Sequence, residues 1–395
     1  TAEREVGDYV QFEMLEGMAN HQRRALSETT SNILLYAPAT RREDFINAIG
    51  YLIRRLDENT GPENFLRHTF KLVVDSEEWC RLEEDFIGCF DRIEGIEQGP
   101  RRQQDRQLPL ATQGTVQRLD SFRNEPDTDF SLPQNVAWAE GLIHRWKPLC
   151  GDAATDIPLC VAGSAVTDER RQRECLDPSR PGVVVGRYKQ ASSEDIEQAL
   201  ACAVADQTGW RTMDEDARRR ILADVAQEIR VNRGELMGAA LAEGGKLLTE
   251  SDPEVSEAID FVEYYAATTQ VFHEMPSVAT KPKGVVVVVP PWNFPIAIPC
   301  GGIAAALATG NTVILKPASN TVLISWVLCK CFWRAGVPKE ALQLIPCAGA
   351  SGGTQLVSSE SVDIVILTGG TDTALRMLEA RPEMMLLAET GGKNA

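Results

Sequence analysis

The sequence predicts an α/β protein in which a doubly wound parallel sheet follows a separate strand-then-helix unit. Three observations carry this. After residue 283, five apolar runs, VVVVV (285–289), TVIL (312–315), LQLI (342–345), VDIVIL (362–367) and MMLLA (384–388), alternate with helix patterns at 296–309, 321–335, 351–359 and 372–380. Continuous rather than alternating apolar strands imply burial on both faces, and intervening helices imply parallel crossovers. Near the N-terminus, ILLY (33–36) reads as a strand, and REDFINAIGYLIRRLDEN (42–59) places Phe45, Ile49, Leu52, Ile53 and Leu56 at helical spacing. Between these regions, residues 98–135 are rich in Gln, Arg, Asp and Pro and have little apolar periodicity, so they read as a linker.

A second unit begins near residue 136. Helix patterns occupy 192–205 and 214–243, with Asp214 as N-cap and Gly244-Gly245 as the stop. A further helix is expected over 253–269, with Pro253 in its first turn. The division is thus 1–97, 98–135 and 136–395, and no internal repeat is evident.

With 395 residues, 43% of them apolar, the chain can build two or three cores. Forty basic against 57 acidic side chains give a net charge of −17, which disfavours nucleic acid or an anionic membrane as the main partner. No run is long enough to span a bilayer and TAEREVGDYV has no apolar signal core, so a cytoplasmic enzyme or scaffold is expected. The ten cysteines form no CxxC pair and read as reduced core residues, while His21, His68, His144 and His273 lie too far apart to suggest a metal site. The chain opens on Thr and stops at ETGGKNA directly behind an apolar run, which suggests a piece of a longer protein.

In an open parallel sheet the ligand sits beyond the carboxyl ends of the strands. Those five positions read PPWNFP, KPASN, PCAGASGG, TGGT and ETGG. An amide at Asn293 can face a developing oxyanion, Lys316 can bond a ribose hydroxyl, and Gly349, Gly353 and Gly369-Gly370 allow close approach of a pyrophosphate. Glu389 places a carboxylate where a general base is useful. Each has a plain structural alternative: a helix cap, a solvated lysine, turn glycines and a surface acid. Their succession at five strand ends favours the functional reading, although no GxGxxG is present.

PWNFP (291–295), KP (316–317), G-x-x-x-G (349–353), LTGGT (367–371) and AETGGKNA (388–395) together resemble the ordered motifs of the aldehyde dehydrogenase superfamily, from about Val136 onward. The resemblance implies Asn293 as the oxyanion-hole amide and Glu389 as the base that activates the deacylating water. It also implies Trp292, Lys316, Ser319, Gly349, Gly353, Gly370 and Thr371 as contacts for NAD. Ser319 stands where many relatives carry the Glu that grips the adenosine ribose, which leaves NADP open, and Gly370 stands where many carry a phosphate-binding Ser. The superfamily's nucleophilic Cys lies beyond the ETGG-type motif. Cys300 and Cys347 do not match its position and read as packing residues, so the Rossmann-like domain is expected to stop before a catalytic domain.

In the first unit, Arg54 and Glu58 are expected to share a helix face while Arg55 points to one side. A surface ion pair and a fork for a substrate carboxylate are both open. QFEMLEGMA (11–19), LLYAP (34–38) and YLIRRLDEN (51–59) are similar to the last strands and final helix of the (βα)8 proline dehydrogenase barrel. With FRNEPDTDFSLPQN and DPEVSEAIDF, they resemble the fused proline utilization A family, which joins that barrel to a glutamate semialdehyde (pyrroline-5-carboxylate) dehydrogenase. This implies that Arg54, Arg55 and Tyr36 hold proline, and that Arg55 and Glu58 lie near FAD. It further implies a homo-oligomer and peripheral membrane contact for electron transfer to quinone. Other readings are a different aldehyde dehydrogenase with an unrelated extension, disfavoured by RRLDEN behind LLYAP, and a non-catalytic dinucleotide-binding protein.

Overall fold

The computed structural model describes residues 10–16, 20–37, 39–61, 64–68, 72–95, 99–111, 113–277 and 279–391. Parts of three motifs, residues 17–19, Pro38 and residues 392–395, therefore lie outside the described residues. The chain divides into two compact units, Thr1–Pro100 and Arg101–Ala395.

In the first unit β1 (Phe12–Leu15), α1 (Asn20–Ser27) and β2 (Ile33–Tyr36) form a βαβ unit, with the strands parallel and Phe12 opposite Ile33. A single 3-10 turn, Arg42–Asp44, leads into α2 (Phe45–Thr60), followed by α3 (Phe65–His68) and α4 (Glu77–Arg92). The expected strand and helix are both present. Helix α4 was not anticipated, although its start is written in the sequence. Ser76 accepts from Trp79 N at 3.2 Å, and Glu77 and Glu78 sit in the first turn. The apolar stripe of α2 stays open: Ile49, Leu52, Ile53 and Leu56 are all exposed, and Ala48 alone is buried among the described helix residues.

In the second unit α5 (Pro133–Trp146) precedes a small-sheet region. Strands β3 (Thr155–Ile157), β6 (Gln172–Leu176) and β7 (Val184–Lys189) form one sheet, and β4 (Cys160–Val161) pairs with β5 (Ser164–Ala165) in a hairpin. Helix α6 (Ser193–Ala205) opens on a capping box between Ser192 and Asp195. The single helix expected over 214–243 is two, α7 (Glu215–Val231) and α8 (Arg233–Gly244). They part at Asn232, whose side-chain amide donates to Glu228 O at 2.8 Å while its Oδ1 accepts from Arg334 at 3.0 Å. Asp214 caps α7 as expected, its carboxylate accepting from Ala217 N. Helix α9 runs over Leu248–His273, so Pro253 lies one turn deeper than the sequence pattern suggests.

The main sheet contains β8 (Val285–Val289), β9 (Thr312–Leu315), β10 (Leu342–Leu344), β11 (Ile364–Gly369) and β12 (Leu386–Thr390), in the order β10-β9-β8-β11-β12. All its pairings are parallel. Connecting helices are α10 (Ala297–Ala308), α11 (Val322–Arg334), α12 (Thr354–Ser358) behind a π-turn at Gly349–Gly353, and α13 (Thr371–Ala380). The valine run explains the double burial. Val286 and Val288 join a cluster with Ile259, Ile303 and Leu328, whereas Val285 and Val287 face Ile196, Leu356 and Ala374. Strands β11 and β12 begin two residues later than expected, so Glu389 lies within its strand, opposite Thr368, rather than beyond the end.

Residues 101–132, expected as linker, are irregular but fastened to the second unit. Thr128 N donates to Asp252 Oδ2 at 2.5 Å, and Asp252 also accepts from the buried Arg233 at 2.8 Å. Glu125 takes Arg230 at 2.7 Å and Arg233 at 3.0 Å, and Gly114 N donates to Asp224 at 2.9 Å. A polar segment without periodicity can be ordered in this way, because its backbone groups find side-chain partners instead of forming a ladder.

Candidate active site

The chain winds from β8 outward through β9 and β10, then returns to the other side of β8 as β11 and β12. The carboxyl ends of β8 and β11 therefore flank the switch point, where a parallel sheet leaves a crevice. A cleft of about 580 Å³ lies there, and Trp292, Asn293, Lys316, Gly370 and Glu389 all line it. A second lobe of about 400 Å³ is lined by Gly349, Gly353, Thr354 and Arg376. Val289, Lys316 and Thr373 line both, so the two lobes adjoin.

Asn293 stands on an exposed loop, and its carboxamide makes no hydrogen bond among the described residues. It does not cap α10, which removes its structural alternative. The N-cap position is Ile296, and the first free N–H groups, of Ile296 and Ala297, donate instead to Glu254 Oε1 at 2.6 and 3.2 Å. Trp292 is 63% exposed at the lip. Glu389 is exposed on the edge strand and faces the same cleft.

Lys316 closes β9 and is only 8% exposed, its ammonium donating to Pro317 O at 3.0 Å. Burial pushes its pKa below the ordinary lysine value, partly offset by the Cys347 thiol beside it. A Cβ at Gly353 would lie 3.3 Å from Lys316 Cε, so any side chain there crowds the lysine and fills the second lobe. A Cβ at Gly349 would meet nothing within 4 Å. Ser319 sits on the exposed turn after β9 and Thr371 opens α13, and neither lines either lobe.

None of the ten cysteines lines the cleft. Cys300 is fully buried, donates to Ala258 O at 3.4 Å and has its thiol pushed far up by burial; Cys347 is buried too, with its thiol also raised. Both pack, as expected. Cys80 and Cys89 depart from that expectation, being exposed on α4.

In the first unit Glu58 pairs with Arg55 at 2.7 Å, not with Arg54 as helix-face reasoning suggested. An i,i+3 step serves as well as i,i+4 on a helix surface. Arg55 lies over the Tyr51 ring at 5.1 Å, and Tyr51 stands 5.8 Å from the Tyr36 ring. Arg54 is exposed and makes no ion pair or hydrogen bond among the described residues. Sequence reading missed Tyr51, although 51, 55 and 58 follow helical periodicity. It also missed Arg376, Glu254 and Lys246, which lie in unremarkable polar text.

Residues 165–395 match the aldehyde dehydrogenase family. The chain belongs to that family. Residues 1–68 match proline dehydrogenase. The chain is 32% identical to a 1-pyrroline-5-carboxylate dehydrogenase of Geobacillus sp. (strain WCH70) over 295 residues, covering 70% of the chain and 56% of that protein. It is 31% identical to the bifunctional protein PutA of Klebsiella aerogenes over 91% of the chain and 27% of that protein. A solved 1-pyrroline-5-carboxylate dehydrogenase from Thermus with bound NAD aligns with a TM-score of 0.64 at 31% identity, over 69% of the chain and 56% of that structure. Proline utilization A from Bdellovibrio bacteriovorus shares the fold over 97% of the chain and 39% of its own length, with a TM-score of 0.77 at 24% identity. The chain thus spans about half the length of the pyrroline-5-carboxylate dehydrogenases that it matches.

Proposed function

We propose that this chain is part of a bifunctional enzyme that oxidises proline to glutamate, and that the cleft between β8 and β11 serves the second step, oxidation of glutamate semialdehyde. The observation that carries the reading is the convergence at one switch point of an uncommitted amide, Asn293, a carboxylate, Glu389, and a lysine-and-glycine lobe, Lys316, Gly349 and Gly353.

The cleft suits a nicotinamide dinucleotide, which accepts hydride from the bound substrate when present. Gly349 and Gly353 leave room for the phosphates, Lys316 reaches a ribose hydroxyl, and Trp292 and Gly370 complete the contacts, while Thr371, which lines neither lobe, opens the helix behind Gly370. Ser319 presents no carboxylate against a 2′-phosphate, so NADP is admissible beside NAD. Asn293 donates its amide hydrogen to the oxygen on which negative charge develops. Glu389 takes the proton of the water that releases the product acid. The nucleophilic thiol is supplied from outside residues 1–395. In the first unit Arg54 and Arg55 bind the proline carboxylate, Tyr36 and Tyr51 wall the pocket, and Arg55 and Glu58 border FAD. We assign residues 1–97 to the proline dehydrogenase part, as the end of its (βα)8 barrel, 98–135 to the connection and 136–395 to the aldehyde dehydrogenase part. The enzyme is read as a cytoplasmic homo-oligomer, with membrane contact only for passing electrons to quinone.

Pre-steady-state NADH formation from glutamate semialdehyde by the full-length protein tests this assignment. Asn293→Ala is expected to slow the burst by roughly 100- to 1,000-fold, whereas Glu389→Gln keeps the burst and loses steady-state turnover. A wild-type burst in Asn293→Ala, or wild-type steady-state turnover in Glu389→Gln, would refute the roles.

A further inference from the structure

The loop that carries Asn293 is held by an ion pair between a partly buried lysine, Lys246, and a buried carboxylate, Glu254. We infer that Lys246 and Glu254 are positioning residues for the oxyanion amide, acting through the backbone of the PWNFP loop; this rests on the function proposed above for Asn293.

Lys246 follows the left-handed Gly245 that closes α8, at φ 64°. A Cβ at Gly245 would stand 2.8 Å from Pro178 Cγ, so the turn is reserved for glycine on two grounds. The turn sends the Lys246 ammonium to three partners on facing elements. It pairs with Glu254 Oε2 at 2.5 Å, donates to the Asn293 carbonyl at 3.1 Å, and lies 4.5 Å from the centre of the Phe294 ring. Glu254, 2% exposed, uses its other oxygen to accept from Ile296 N and Ala297 N. Both ends of the segment 293–297 are thereby tied to a single ion pair, one through a carbonyl and the other through two amide N–H groups. The carboxylate thereby sits at the positive end of the α10 dipole.

The consequence is specific. The side chain of Asn293 is bonded to nothing among the described residues, so its aim is set by its backbone, and that backbone is fixed through Lys246. An oxyanion donor works only when preorganised, and a misplacement of about 1 Å can cost on the order of 100-fold in rate.

A double-mutant cycle in the full-length protein tests this, read as the NADH burst rate. Lys246→Met alone is expected to slow the burst on the order of 10- to 100-fold, with NADH affinity unchanged. Lys246→Arg, which keeps a cation able to reach both oxygens, restores most of the rate. In the Asn293→Ala background, Lys246→Met adds little, because the group through which it acts is already gone. Additive slowing in the double variant would overturn the inference, as would an unchanged burst in Lys246→Met. If Lys246→Met does not fold, Glu254→Gln takes its place in the cycle, since it keeps an acceptor for the helix N–H groups and loses the ion pair. Absence of a burst in the wild type, or its persistence in Asn293→Ala, would instead sink the functional reading on which the inference stands.

Discussion

Lys316, proposed above as a dinucleotide contact, carries a cost to the fold. Its ammonium is buried and bonded to a single carbonyl, and its pKa is lowered first by that burial. The folded chain therefore holds fewer protons than the unfolded chain between the lowered and the ordinary value, so this group's contribution to stability rises as pH climbs through that interval. Lys316→Met removes the penalty, and its melting temperature is expected to equal or exceed wild type at neutral pH. NADH affinity should fall by a factor equivalent to roughly 1.5–3 kcal/mol, the value of a charge-assisted hydrogen bond. Wild-type affinity should also weaken as pH rises through the lowered pKa, while the Met variant shows no such dependence. Isothermal titration over a pH series, beside thermal melts, checks both arms. A variant that melts lower yet binds NADH normally would make Lys316 structural.

At the scale of elements, the helices behind β8 and β9 begin on apolar residues and carry no side-chain cap of their own. A neighbouring layer supplies it. Glu254 receives the first N–H groups of α10, and Glu243, 4% exposed, receives Leu323 N and Ile324 N of α11 at 3.2 and 3.0 Å. Burial raises the Glu243 pKa against the lowering effect of those bonds. The folded state thus binds more protons than the unfolded one between the ordinary and raised values, and stability from this group declines as pH rises through that window. Glu243→Gln keeps an acceptor and should abolish this slope with little loss of stability. Glu243→Ala orphans buried N–H groups and should cost about 1–3 kcal/mol; urea melts at two pH values separate the variants. These caps are also where sequence reading stopped. The strands and helices of the main sheet were legible because continuous valines and 3.6-residue stripes record burial directly. A cap supplied from 80 residues away leaves no local pattern, and neither does the bond that Asn232 accepts from Arg334 at the break between α7 and α8. The meeting of Asn293 and Lys316 at one cleft was legible because strand ends announce themselves, whereas Glu389 reaches that cleft from within its strand. Lys246 and Glu254 were not legible, since a lysine and a glutamate on helices ordinarily face water.

At the scale of the molecule, the two units differ in how far they bury themselves. The second has two cores, one on each face of the main sheet, whereas α2 and α4 in the first leave Phe45, Ile46, Phe86 and Phe90 more than half exposed. Residues 101–132 belong with the second unit through Arg233, Asp252, Glu125 and Arg230. Limited proteolysis of the 395-residue chain is therefore expected to clear sites before Pro100 first and to leave a resistant core beginning near Arg101. Mass spectrometry of the fragments decides it, and early cutting between 101 and 132 would contradict the fastening. The account as a whole depends on the switch-point cleft accepting a dinucleotide. That is measured most directly by titrating NADH into the 395-residue chain and following energy transfer from tryptophan to the nicotinamide. Saturable one-to-one binding that Gly353→Val abolishes is the predicted result; no saturable signal from the folded chain, or equal binding by Gly353→Val, would contradict it.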